Sequence, residues 1–558
     1  MSLMGAFYVG VSGLQTSQNA LNTTAHNIAN VDTAGYTRQQ VYQGTRSYNT
    51  ISYSYNGANQ VGMGVAYSDV RAVRDIFMDQ TYRTESGRAA YYSTNLEINN
   101  EVTTLFGEMQ GVEFLNSLQD LRNAFMDLEN KPTDATVQGS VIQTASHFVY
   151  RAQAVYNGLA DYQDNLNEQI KDQVDQINEY AKKIAAINEQ VTAIAAARIE
   201  SPNDLRDARD QLLDDLSAFG RVTYSEDARS CLNIQFEGVD LVRENHYNEL
   251  AVLKDKDTGF YTPVWGTFSN QPVFKEGEII SAEAGTDSGS LKAMYLARGN
   301  KRATHLDMKS QVLNDKTADP DDWLWEKSNR PKLQYDSDVF ESTSKSDLCT
   351  IMAEFDNLVN GIVTQVNDWL THHYEVIEDD EGIKDDGSGT LKYEELFVRI
   401  QHGDDFTRTN PLNPDYDYNT MNIMVNTKLM NRPTLLNKGF FLSDQSADQD
   451  TASEIAKLFQ GTTDFMTLNP ETKTPLSFTG YYNGIVEQYA TKGNAYQLVS
   501  DAQEQLLVAT DNKRQQVMGV SDNEELMKLV RFQNAYNASS RYFNTVNDML
   551  TQMIQQLA

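Results

Sequence analysis

The chain has 558 residues, with 78 Asp and Glu against 46 Lys and Arg, for a formal charge of −32. That length supports several domains, since single cores stop growing at about 250–300 residues, and that charge argues against nucleic acid and anionic membrane surfaces, which attract Lys/Arg-rich faces. No apolar run reaches the roughly 18–20 residues of a spanning helix, and two cysteines exclude a disulfide framework, so Cys231 and Cys349 read as buried free thiols.

Residues 1–31 contain no Asp, Glu, Lys or Arg. A cleavable signal peptide needs a basic residue ahead of its apolar core, and the first here is Arg38. The chain is therefore expected to stay in the cytoplasm or to leave by a route that reads no such signal. Met4, Phe7, Val11, Leu14, Gln18, Leu21, Ala25 and Ile28 recur at alternating three- and four-residue steps, which predicts one helix over 4–28 with a coiled-coil seam. A helix covered on several sides cannot carry charges without desolvating them, whereas Asn, Gln, Ser and Thr can hydrogen-bond to neighbours. Periodicity leaves open whether the cover is this chain's own core or sister copies; the missing charge favours the second.

Further along, Leu166, Ile170, Ile177, Tyr180, Ile184, Ile187, Val191 and Ile194 predict another long seam. Ser201-Pro202-Asn203-Asp204 restarts the chain, with Ser201 as N-cap and Pro202 as first helical residue of a helix ending near Gly220. "CLNIQFEG", "VDLVRE" and "NELAVLK" then alternate with period two and read as strands. Residues 300–345 are polar and irregular, and Trp323 and Trp325 there mark either an adhesive patch or a small satellite core. Helix returns at 347–374. A second strand-like stretch, 396–442, holds "EELFVRI" and "MNIMVNTKLM", and helix resumes near 452.

In the last segment Leu529, Phe532, Tyr536, Ser539, Phe543, Val546, Leu550, Met553 and Leu557 repeat the seam, behind a capping box at Ser521–Glu524. A hairpin of the two terminal helices alone is marginal against the entropy of ordering it, so further surfaces are required. The fold class is an α+β multidomain of nested units. Residues 1–70 with 512–558 form a coiled-coil unit from both termini, disordered in the free subunit. Residues 71–219 with 346–375 and 446–511 form a helical bundle. Residues 220–299 and 376–445 form two inserted β-rich outer domains, and 300–345 an irregular insertion.

No HExxH, G-x-S-x-G, P-loop or G-x-G-x-x-G stands in a credible context, and no enzyme or cofactor is expected. His372, His373 and Glu375 sit at a helix C-terminus, where histidines serve the dipole more often than a metal. In "KDDGSGTLKYEE", 384–395, Asp386, Ser388 and Glu395 take the third, fifth and twelfth positions of a calcium loop. Lys384 fills the first position, where an acidic ligand belongs, so a structural turn is the expectation.

The segment "GLQTSQNALNTTAHNIANVDTAGYTRQQ" closely resembles the N-terminal signature of bacterial flagellar axial proteins (rod, hook and hook-associated). Asn27, Asn30, Thr33, Gly35 and Tyr36 stand at its motif positions. "GVSDNEELMKLVRFQNAYNASSRYFNTVNDMLTQMI", 519–554, resembles the C-terminal signature, and "NDLRDARDQLLDDLSAFGRV" with "VNDWLTHHYEV" is similar to the hook-associated members. Ala34 departs from the family's usual Pro, and 300–345 reads as an insertion. The resemblance implies a structural subunit exported by the flagellar type III apparatus without a cleaved signal. Its C-terminal region would be held by an export chaperone, and copies would assemble outside the cell as a ring between hook protein and hook-associated protein 3. The uncharged start would line a tube, with Met4, Phe7, Val11, Leu14, Leu21, Ile28, Leu529, Phe532, Tyr536, Phe543, Val546, Leu550 and Met553 as its assembly seam. The rival readings are another axial protein of hook or rod type, and a calcium-binding or adhesive surface protein.

Overall fold

A computed structural model describes residues 3–54, 57–106, 114–197, 201–275, 278–311, 333–335, 337–372, 395–400, 418–440, 449–460, 468 and 476–557. The uncharged start forms α1 (Leu3–Ala29). The chain then turns to strands, correcting the expectation of a purely helical unit through residue 70. β1 (Gln39–Thr45) pairs antiparallel with β4 (Val65–Ala72), and between them β2 (Tyr48–Ser54) pairs with β3 (Gly57–Gly62). Val, Thr, Tyr and Ile are dense in 41–70, and such residues fit a half-covered pleated surface better than a helix.

Four helices follow: α2 (Ile76–Phe106), α3 (Phe114–Asn130), α4 (Ala135–Ala197) and α5 (Asn203–Ser217). At 63 residues, α4 spans about 95 Å at 1.5 Å per residue. The start of α5 differs from expectation by one residue. Pro202 is the N-cap and helical structure begins at Asn203, because the Ser201 hydroxyl donates to Asp69 at 3.0 Å rather than capping.

Residues 222–272 build two antiparallel sheets. The first holds β5 (Val222–Glu226), β6 (Leu232–Phe236), β7 (Val239–Arg243) and β8 (His246–Tyr247), in that order; the second holds β9 (Leu250–Lys254), β10 (Tyr261–Trp265) and β11 (Gln271–Pro272). Three asparagines of α4 clamp these sheets as if the helix edge were a strand. Asn188 exchanges hydrogen bonds with both backbone groups of Leu232, at 2.8 and 3.1 Å. Asn178 does the same for Leu250 at 2.8 and 2.9 Å, and Asn167 accepts the Tyr261 N–H at 2.7 Å.

Next come α6 (Ser290–Arg298), the ribbon of β12 (Lys309–Gln311) with β13 (Leu333–Tyr335), α7 (Ser337–Thr343) and α8 (Asp347–His372). Of the expected second β-rich outer domain, 376–445, residues 376–394, 401–417 and 441–445 lie outside the described residues. Its described residues hold only the three-residue strands β14 (Phe397–Arg399) and β15 (Ile423–Val425), followed by α9 (Thr427–Asn431) and a 3₁₀ stretch, Pro433–Phe440. Leu396, Phe397, Ile423 and Val425 bury into the helical core, with Phe148 of α4 against Phe397 at a ring-centroid distance of 6.2 Å, instead of building a sheet core of their own. Asn367 of α8 holds Phe397 by the same amide exchange, at 2.8 and 3.1 Å. The chain closes with α10 (Asp450–Leu458), α11 (Phe478–Met518) and α12 (Asp522–Leu557).

Two hydrophobic cores result. One gathers α2, α3, the first half of α4, α8, α10 and the start of α11; the other packs the second half of α4 and α5 against the sheets of 222–272. Among the described residues, none of α1 or α12 belongs to either. Cys231 and Cys349 are free and buried in separate places.

Candidate assembly interface

The helices α1 and α12 run antiparallel, and small residues set their approach. Ala6, Gly10, Ser17, Ala20, Thr24 and Asn27 are the buried residues of a four-three row in α1. A Cβ on Gly10 would stand 3.3 Å from the Tyr542 ring, and one on Gly13, in the same row, 2.7 Å from Ser539 Oγ. Large side chains would force the axes apart. The apolar row singled out from sequence lies one residue further round: Phe7, Val11, Leu14, Leu21 and Ile28 are half-buried, and Met4 stands in the first turn. On α12 the sequence-derived row does face α1. Leu529, Phe532, Tyr536, Phe543 and Leu550 are half-buried and Val546 buried, with Phe7 and Phe543 rings 4.6 Å apart. Met553 is 44% exposed, because the register carries the last turns of α12 past the start of α1.

At the far end of this pair, Asn27 is the hub of the signature turn. Its amide donates to Gln39 O at 2.8 Å and to Glu525 of α12 at 3.0 Å. Its Oδ1 accepts the Tyr36 hydroxyl at 2.8 Å and the Gln39 N–H at 3.0 Å, which uses every hydrogen-bonding site an asparagine side chain has. Asn30 closes the helix by donating to His26 O at 3.0 Å, and the Thr33 hydroxyl donates to Asn30 Oδ1 at 3.2 Å. Gly35 takes φ +77°, a conformation only glycine adopts cheaply, so the absence of Pro at Ala34 leaves the turn intact. Burial, with Asp204, Asp207 and Glu525 nearby, raises the Tyr36 phenol well above its ordinary range and keeps it a donor. Beyond the turn, the Arg38 N–H donates to Met518 O at 2.8 Å, just where α11 gives way to α12.

Beneath the turn lies an ionic cluster. Arg74 reaches Asp210 at 2.6 Å, Asp207 at 3.2 Å and Asp79 at 3.5 Å. Arg83 meets Asp214 at 2.6 Å and Asp210 at 3.1 Å, and Arg514 of α11 meets Asp214 at 2.6 Å. The Thr37 N–H donates to Asp207 at 3.0 Å. Burial pushes Asp207 up to about 6, more than Arg74 and the Thr37 amide pull it down. Sequence reading missed this cluster and Glu525. Its signal was present: Asp207, Asp210 and Asp214 stand at helical spacing on one face of α5.

Other sequence-derived sites fare differently. Asp386 and Ser388 lie outside the described residues, as do Trp323, Trp325, His373, Glu375 and the side chain of His372. Glu395 accepts from the Tyr418 hydroxyl at 2.8 Å. Among the described residues no group of three His, Cys, Asp or Glu could hold a metal, and no helix is long and apolar enough to cross a membrane.

A family model described as the flagellar hook-associated protein FlgK helical domain matches residues 99–383, and one described as the flagella basal body rod protein matches 7–37. Flagellar hook-associated protein 1 of Bacillus subtilis is 25% identical over 97% of this chain and 96% of its own length. That of Escherichia coli is 23% identical over 98% of both, and that of Salmonella typhimurium 29% identical over 44% of this chain and 43% of its own. The solved flagellar hook junction protein FlgK of Burkholderia pseudomallei aligns with 80% of this chain and 100% of its own, at a TM-score of 0.49 and 14% identity.

Proposed function

Because the chain belongs to the family of the flagellar hook-associated protein FlgK, a structural and non-enzymatic family of the external flagellum, we propose that it forms the ring joining hook to filament, polymerising through α1 and α12. Its axial neighbours in this reading are hook protein on one side and hook-associated protein 3 on the other. It travels by flagellar export without a cleaved signal, with a chaperone on the C-terminal region until delivery. Residues 1–70 with 512–558 are the tube-forming unit. The bundle and strand-bearing segments face outward.

One observation carries the reading. While the inner row of α12 covers α1, Leu526, Met527, Val530 and Met549 stay exposed on its other faces, and Met553 and Ile554 stay exposed beyond the start of α1. An apolar surface of that extent on a soluble protein marks a docking face, and a helix without a share in either core has little else to hold it. Leu21→Asp and Phe543→Lys, each expressed in cells lacking the native copy, are expected to abolish the junction while leaving the middle of the chain folded. Electron microscopy of the hooks and thermal melting of the purified variants read the two effects, and an intact junction in either variant overturns the proposal.

A further inference from the structure

The ionic cluster under the signature turn holds more acid than base. Arg74, Arg83 and Arg514 face Asp79, Asp207, Asp210 and Asp214, three guanidiniums against four carboxyl groups, and half-exposed Asp511 adds a fifth to Arg514 at 3.3 Å. Asp79, Asp207, Arg83 and Arg514 are buried. Arg209, on the same helix, lies near Asp210 but brings Glu226 with it, so the two together add no net charge, and its hydrogen bonds go to Asn188 and Ser230 O. Asp79 Oδ1 has no hydrogen-bond partner among the described residues and sits 3.8 Å from Arg514.

The members come from four separate stretches of chain. The turn supplies Tyr36 and the Thr37 amide, the entry to α2 and its first turns supply Arg74, Asp79, Tyr82 and Arg83, α5 supplies its three acids, and α11 supplies Arg514 stacked 3.8 Å over Tyr82. Tyr224 of β5 lies under Arg83 at 4.4 Å, and Asp204 of α5 takes the Gln39 side chain at 2.8 Å. Closing this joint therefore buries one negative charge without a matching cation, which is costly unless a proton accompanies it.

We propose that this cluster is a proton-gated joint: the packed arrangement binds one proton more than the separated segments, so the seat of the terminal helices tightens as the surroundings acidify. Asp207 and Asp79 are the carboxyl groups placed to take the extra proton. Burial raises both Asp207, to about 6, and Asp79, with the arginines opposing it in each case. A carboxyl raised in the packed state contributes stability that is whole below its ordinary value near 3.8 and is lost as pH rises through about 6.

The test is amide exchange on the full chain, read by mass spectrometry over residues 36–39 and 503–518 and corrected for the intrinsic rate. In the wild type, protection is expected to rise about tenfold from pH 7.5 to pH 5. Asp207→Asn and Asp79→Asn each remove the surplus charge. Each is expected to flatten that slope, with protection at pH 7.5 near the wild-type value at pH 5. A flat wild-type profile overturns the proposal, and so does a slope that persists unchanged in a folded variant. If one variant does not fold, the other and the wild-type slope still decide. None of these readings requires assembly, so the joint and the junction ring stand or fall separately.

Discussion

Among single residues, Asn27 and Glu354 show what burial asks of a polar group. Asn27 satisfies four partners, and Leu of similar size would strand the Gln39 N–H, its carbonyl, the Tyr36 hydroxyl and Glu525 at a site the residue itself keeps closed to water. Asn27→Leu is expected to cost about 3–5 kcal/mol in the docking of α1, read as lost exchange protection over residues 26–40. Glu354 of α8 is the opposite case. It is fully buried, and the support its carboxyl group has comes from the Lys492 ammonium and the Gln488 side chain. Burial lifts it to about 8, and the Lys492 ammonium opposes this only in part. Its stabilisation is therefore whole below about pH 4.5 and lost as pH climbs through about 8. Glu354→Gln is expected to remove that dependence, gaining about 3–5 kcal/mol on the wild type between pH 5 and pH 9 in urea unfolding followed at each pH.

At the level of elements, spacing revealed most helices and hid their contacts. The apolar row of α12 was legible because its covered residues are large. The covered row of α1 was not, since Ala, Gly, Ser and Thr carry no hydrophobic signal and gain their place by letting a neighbour come close. Gly13→Leu is expected to unseat α1 from α12, exposing residues 3–29 to limited proteolysis while α2 to α11 keep their melting temperature. The strands of 39–72 were hard to read because Gly, Asn, Gln and Ser interrupt their alternation, which stands out cleanly only in 231–254. "EELFVRI" and "MNIMVNTKLM" do hold paired strands at Phe397–Arg399 and Ile423–Val425, but their side chains enter the helical core. The asparagine clamps on α4 and α8 had a visible signature, Asn at inward-facing helical positions, but which strand each one meets is set by tertiary structure alone. The same holds for the ionic cluster, whose arginines come from residues 74, 83 and 514.

For the molecule as a whole, the absence of α1 and α12 from both cores carries a clear expectation. A chain cut back to residues 30–521 should still unfold cooperatively, with its main calorimetric transition within about 3 °C of the intact protein. Subunits of charge −32 also repel one another. Assembly of purified protein is accordingly expected to strengthen from 0.01 to about 0.15 M salt, as the Debye length falls from about 30 to 8 Å, in sedimentation runs at fixed concentration. The helix α4 belongs to both cores without a break, and its asparagines lock the sheets to it at fixed register. A load taken up by the strand-bearing side thus reaches the bundle through a stiff beam with no soft linker between them. Yielding falls to the short passage at Gly519–Ser521, where α11 hands over to α12, and the torque of a turning shaft would be felt first in those three residues.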